Sequence, residues 1–159
     1  MRTLATLGLA LAAIVATPGP SLALDLNSFR AQHGLHRLAA SAALTAKARA
    51  HAADMARRRS MDHAGFYERM RGTGSFAAEN VAAGCPTADC VFKLWAESSG
   101  HRANMLNASV THYGLASAKG ADGQRYWALE LAEQSSPPRR HRRSDKTYFH
   151  LEINEQPFR

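Results

Sequence analysis

Three short segments hold most of the side chains that could do chemistry. They are Asp62-His63-Ala64-Gly65-Phe66, Ala78-Glu79-Asn80-Val81-Ala82-Ala83-Gly84, and the run from Leu94 to Leu106 that carries Glu97, Ser98, Ser99 and His101. Neutral imidazoles such as His63 and His101 suit zinc or copper, and a carboxylate such as Glu79 can ligate, orient a ring or act on a metal-bound water. Two histidines with water make an open, weak site, because a catalytic zinc ordinarily has three protein ligands. The plainer reading is a polar packing cluster, with His63 and His101 hydrogen-bonded to Glu79 and to backbone. Glu79 could equally accept backbone N–H groups of a loop, and Asn80 could pin a turn.

Ser98 and Ser99 near His101 raise the alternative of a serine nucleophile. Against it, no Gly-x-Ser-x-Gly elbow exists, and a serine two or three residues before His101 is better placed to cap a helix. His51 falls on an apolar helical stripe and reads as a satisfied core histidine. His33 and His36 are separated by Gly34, which removes a shared helix face.

Taken in order, the three segments resemble those of the CAP superfamily, or SCP domains. This group includes cysteine-rich secretory proteins, insect venom antigens and plant pathogenesis-related proteins, and the particular match is to its short bacterial branch. The resemblance runs from about Asn27 to the Tyr126-Trp127 strand. It implies a three-layer α-β-α sandwich with a small, mostly antiparallel sheet and a cleft lined by two histidines and acidic groups. Matched residue by residue, the cleft histidines are His63 and His101 and the acid is Glu79. Where the family has a second glutamate this chain has Ser98, and Glu97 next to it points about 100° away around a helix. Two other roles stay open: the residues themselves suit a metal-assisted hydrolase of peptide or cell-wall bonds, with a metal-bound water held by His63 and His101 and Glu79 as candidate catalytic base, and the resemblance implies a carrier of lipid or sterol.

The elements that must position these residues are partly legible. Asp25 to His33 reads as a short helix with Leu26, Phe29 and Arg30 at helical spacing, ended by Gly34. Ser41 caps a longer helix with an apolar stripe of Leu44, Ala48, His51 and Met55, ending near Arg59. Thr87 caps a third, whose face is Val91, Leu94, Trp95 and Ser98, with a bend allowed at Gly100 before His101 to Leu106. Residues 113–118 and 125–131 read as two strands of a hairpin that must bury one face against the helices. Residues 60–86 show no strong periodicity and read as a long irregular segment, the kind that often carries function. Trp95, Tyr126 and Trp127 read as packing residues.

Composition sets the outer limits. The 159 residues carry a net charge of +7, and the length suits one domain. From Gln134 onward six basic residues face three acidic ones, and Arg2 adds one more, leaving +3 for the rest. The densest charge is thus in a flexible-looking tail, 134–159, whose Arg139-Arg140-His141-Arg142-Arg143 lacks the aromatics that stack on bases. It reads as an unspecific contact for anionic envelope surfaces and not as a specific nucleic-acid site.

Residues 1–23 read as a signal peptide: Arg2, the apolar run Leu4 to Ala16, then Ser21-Leu22-Ala23 as a cleavage site. The expected product is a secreted or periplasmic monomer without a transmembrane anchor, its domain spanning 24–133. In such a compartment Cys85 and Cys90 suit a local disulfide, with free thiols or half a metal site as the alternatives. The expected function is a cleft of His63, Glu79, Ser98 and His101 that binds a small apolar ligand or a divalent metal such as Zn2+ through His63 and His101, without catalysis.

Overall fold

Asp25 caps the first helix, its carboxylate accepting from the N–H groups of Asn27 and Ser28, so α1 (Leu26–Gln32) begins where the sequence places it. The computed structural model describes residues 24–134, and the segments read as leader and tail lie outside them except for Gln134. Ser41 caps α2 (Ala42–Arg58) through Leu44 N–H, and Thr87 caps α4 (Ala88–Glu97) through Cys90 N–H. Both fit the preference for short polar side chains at a helix start.

The chain order is α1, β1 (Ala39–Ala40), α2, α3 (Phe66–Met70), β2 (Ala77–Ala83), α4, α5 (Ser99–Met105), β3 (His112–Lys119) and β4 (Arg125–Ala132). The sheet order is β1-β3-β4-β2, with β1 parallel to β3 and the other pairs antiparallel. This is the mostly antiparallel sheet expected. Helix α2 packs its Ala48, Ala52 and Met55 on one face of the sheet, against Val81, Tyr126 and Ala128. On the other face Leu26, Phe29, Val91, Trp95 and Met105 pack against Ala78, Ala82, Trp127 and Leu129. Three layers result, and side-chain parity along each strand decides which layer a residue meets.

Gly114 marks the closest approach. A Cβ there would stand 2.1 Å from Thr45 N and 2.2 Å from the Leu44 carbonyl carbon, so only glycine lets α2 sit on β3 at this depth. The indole N–H groups of Trp95 and Trp127 donate to the Val81 and Cys85 carbonyls, satisfying both rings in the core. Cys85 and Cys90 form a disulfide with their Cα atoms 5.6 Å apart. Among the described residues no helix is long and apolar enough to cross a membrane.

Three expectations are corrected. The segment 60–86 is not irregular throughout, since it contains α3 and the edge strand β2. β2 was hidden because five of its seven residues are buried, on both faces, which erases the alternation that announces a half-exposed strand. Leu94 is exposed, and Phe92 takes its place on the buried face of α4. The helix break falls at Ser98, extended at φ −89°, ψ 122°, and not at Gly100.

Candidate functional site

Strand parity sends Glu79 toward α2 and its neighbour Asn80 toward α5. Both are buried; Glu79 is hydrogen-bonded to His63, as in the packing-cluster reading, while Asn80 takes a role the sequence did not suggest. Glu79 accepts no backbone N–H of a loop. Its carboxylate meets His63 Nδ1 at 2.8 Å through Oε1 and the Arg69 guanidinium through Oε2. Asn80 pins a helix where a turn was expected: its amide donates to the His101 carbonyl at 3.0 Å, and its oxygen accepts from Asn104 Nδ2 at 2.9 Å. Asn104 also reaches the Glu79 carbonyl at 3.3 Å, covering part of the exposed edge of β2.

The histidines differ in setting. His63 sits on the loop after α2 with 55% of its side chain exposed, its ring oriented by Glu79. His101, in the first turn of α5, has its Nδ1 buried without a partner. Burial, reinforced by the nearby His63, holds the His101 imidazole below its ordinary pKa, so it stays neutral. Ser98 occupies the N-cap position of α5 but makes no capping hydrogen bond. Among the described residues neither Ser98 nor Ser99 hydrogen-bonds a histidine, which removes the geometric basis for a serine nucleophile. His51 is a satisfied core histidine, its Nε2 2.8 Å from the Asp62 carbonyl, yet it also stands 3.7 Å from Glu79 Oε2.

Two partners were not foreseen. Glu130 on β4 is the register partner of Glu79 and is completely buried. Arg69 on α3 spans both acids, its Nε donating to Glu130 Oε1 at 2.8 Å, while Nη1 reaches the Ala64 carbonyl at 2.9 Å. One cation therefore faces two carboxylates. Burial and the Glu79 charge push Glu130 up from 4.5 to about 8, so it carries a proton at neutral pH. Its Oε2 has no donor facing it; a proton there supplies the missing hydrogen bond to Glu79. Arg69 and Glu130 lie 61 residues apart, and no local spacing links them.

A cavity of about 380 Å³ opens at the β2 edge, lined by His63, Phe66, Tyr67, Phe76, Glu79 and Asn104 with Ala77 and Ala78. Its lining combines three aromatic rings with the polar groups of His63, Glu79 and Asn104, the usual make-up of a small-molecule site. Tyr67 is 86% exposed at the rim. Of the four residues expected at the cleft, His63 and Glu79 line this cavity; His101 is tied to them through Asn80, and Ser98 is not among the lining groups. Among the described residues no three His, Cys, Asp or Glu side chains are grouped to hold a metal ion.

The profile of the cysteine-rich secretory protein family matches residues 25–131. Uncharacterized protein YkwD of Bacillus subtilis is 35% identical over 97 residues, covering 56% of this chain. That alignment spans 38% of YkwD, so the chain corresponds to a minor part of its relative. The structure is similar to an outer surface protein of Borrelia burgdorferi, with a TM-score of 0.63 at 18% identity over 69% of this chain and 87% of that one. It is also similar to an extracellular SCP-domain protein of Bacillus anthracis, with a TM-score of 0.56 at 24% identity over 67% of this chain and 37% of the other.

Proposed function

Since the chain belongs to the cysteine-rich secretory protein family, we propose that it is an exported binding module that holds a small organic ligand in the cleft between α3, β2 and α5 and does not catalyse its conversion. One observation carries the reading. The cleft pairs aromatic walls of Phe66, Tyr67 and Phe76 with a polar floor whose acid, Glu79, is already ion-paired to Arg69. An apolar ligand group stacks on the rings, and the exposed side of His63 and Asn104 meet its polar end. Export is supported by the leader-like residues 1–23 and by the extracellular Bacillus anthracis relative.

The donor set is a poor fit to a divalent metal. Among the described residues no three His, Cys, Asp or Glu side chains are grouped to hold one; His63 keeps only its Nε2 for a ligand, both Glu79 oxygens are engaged, and the Arg69 cation beside them repels a second cation. The same contacts turn both Glu79 oxygens to His63 and Arg69, away from a water that a general base would have to reach.

The test is direct. Protein purified without a histidine tag is examined by elemental analysis and native mass spectrometry, then titrated with the neutral apolar dye N-phenyl-1-naphthylamine. Dye binding is expected to weaken about tenfold in Tyr67→Ala with Phe76→Ala, and to persist in Glu79→Gln. Retained zinc lost on His63→Ala and His101→Ala would return the site to a metal. Hydrolytic turnover abolished by Glu79→Gln would make the protein an enzyme.

A further inference from the structure

The turn end of the β3–β4 hairpin carries two like charges in opposition. Lys119 and Arg125 are register partners there, and cations directly opposite each other on adjacent strands repel. Strand parity turns both toward the α4 face. There they line a second cavity, of about 210 Å³, with Gly84, Pro86 and Gly123. No acidic side chain lines it, and among the described residues neither cation forms an ion pair. Asp122, the acid of the hairpin loop, is held elsewhere by the Tyr126 hydroxyl at 2.7 Å and the Gln124 N–H at 3.1 Å.

The concavity is preformed. Arg125 donates from Nη1 to Ser117 Oγ at 3.0 Å, and its guanidinium lies 5.9 Å above the Trp127 ring. That ring is fixed by its own bond to the Cys85 carbonyl at 2.8 Å, and the Gly84 N–H ties the facing rim to the Arg125 carbonyl at 3.0 Å. The Cys85–Cys90 disulfide closes the same rim. Gly84 and Gly123 adopt φ of +95° and +81°, and where their Cβ atoms would stand there is only Gln124 Oε1 at 4.0 Å beside Gly84 and nothing within 4 Å of Gly123. The two glycines leave their part of the lining without side chains, and the remaining Arg125 donors and the Lys119 ammonium are free to meet a guest.

We propose that this cavity is a binding site for a phosphate group. Arg125 supplies directional paired donors, Lys119 a mobile point charge, and the anion removes the repulsion between them. The site is independent of the aromatic cleft, which lies at the other end of the β2–β4 pair, beside Ala77–Glu79, and shares no lining residue with it.

The experiment titrates the full chain with inorganic phosphate at low ionic strength and follows amide shifts by NMR. Saturable shifts are expected at Gly84, Gly123 and Arg125, with affinity falling roughly tenfold or more in Lys119→Gln and in Arg125→Gln. Arg125→Lys, which keeps the charge and loses the fork, should fall between. Lys119→Gln should also raise the unfolding temperature in phosphate-free buffer, because the repulsion is gone, and Lys93→Gln should leave the shifts unchanged. A second arm uses vesicles of phosphatidylglycerol in phosphatidylcholine. Sedimentation that disappears in the Lys119→Gln/Arg125→Gln double variant assigns a lipid-borne phosphate. Phosphate binding without such site-dependent sedimentation assigns a soluble phosphate ester. Shifts that fail to saturate, spread evenly over exposed cations such as Arg102, or survive in both single variants overturn the proposal.

Discussion

Glu130→Gln is expected to abolish a loss of stability that the natural protein undergoes between mildly acidic and mildly alkaline pH. Glu130 is completely buried opposite Glu79, and Arg69 is shared between the two acids, with His51 from α2 standing 3.7 Å from Glu79 Oε2. Burial first, then the Glu79 charge, raise the Glu130 carboxyl from 4.5 to about 8. Below pH 4.5 both folded and unfolded chains carry the proton, and the stability is fully present. Between 4.5 and about 8 the unfolded chain has released a proton that the folded one keeps, so stability falls as pH rises; above about 8 it levels off. Three to four pH units at about 1.4 kcal/mol each set an upper bound on the order of 4–5 kcal/mol, which structural relaxation around the ion lowers.

Glutamine is the neutral mimic of the protonated acid: its oxygen accepts from Arg69 and its amide donates to Glu79. Urea unfolding followed by the fluorescence of Trp95 and Trp127, at intervals from pH 5 to 8.5, should give curves that meet near pH 5 and diverge upward, the variant being the flatter. Asp62, held well below the usual carboxylate range by Arg58, acts at lower pH; His101, held below its ordinary value by burial, adds stability as pH rises toward 6.5 in both proteins, so the quantity to compare is the difference between the two curves. Parallel curves, or a variant weaker by the same amount at every pH, would mean that Glu130 is ionised throughout and serves Arg69 as a second ion-pair partner. The shared-proton argument would then fail.

Three further outcomes follow from the same packing. Arg69→Met strips the guanidinium from the buried Glu79–Glu130 pair and should cost about 3–5 kcal/mol at neutral pH; adding Glu130→Gln should return part of it in a double-mutant cycle, and strict additivity would refute the coupling. Gly114→Ala forces a Cβ into the backbone of Leu44 and Thr45 and should destabilise by roughly 2 kcal/mol or more in thermal unfolding. Cys85→Ser with Cys90→Ser opens a short loop and should cost about 2 kcal/mol by the chain-entropy relation, read from urea midpoints against the oxidised protein.

What could be read from residues alone divides by distance along the chain. The caps at Asp25, Ser41 and Thr87 and the β3–β4 hairpin are local patterns, and they stand as read. β2 is different. Ala77-Ala78-Glu79-Asn80-Val81-Ala82-Ala83 has neither alternation nor bulk, because both faces are covered and α2 and α5 leave room only for small or paired side chains. Reading it as loop hid the consequence that matters most for the site: successive residues of a strand face opposite layers, so Glu79 and Asn80 cannot share one task. Glu79 joins Arg69 and Glu130 beneath α2, while Asn80 fixes α5 and with it His101. His63 and Glu79 were findable from family spacing, but what Glu79 can do is decided by Arg69, ten residues away on a short charged helix, and by Glu130, reached only through the β2–β4 register. A carboxylate that reads as a free base in the sequence is a neutralised anchor in the fold. For this reason the chemistry of the cleft turns on the solvent-facing imidazole of His63 and on the aromatic walls beside it.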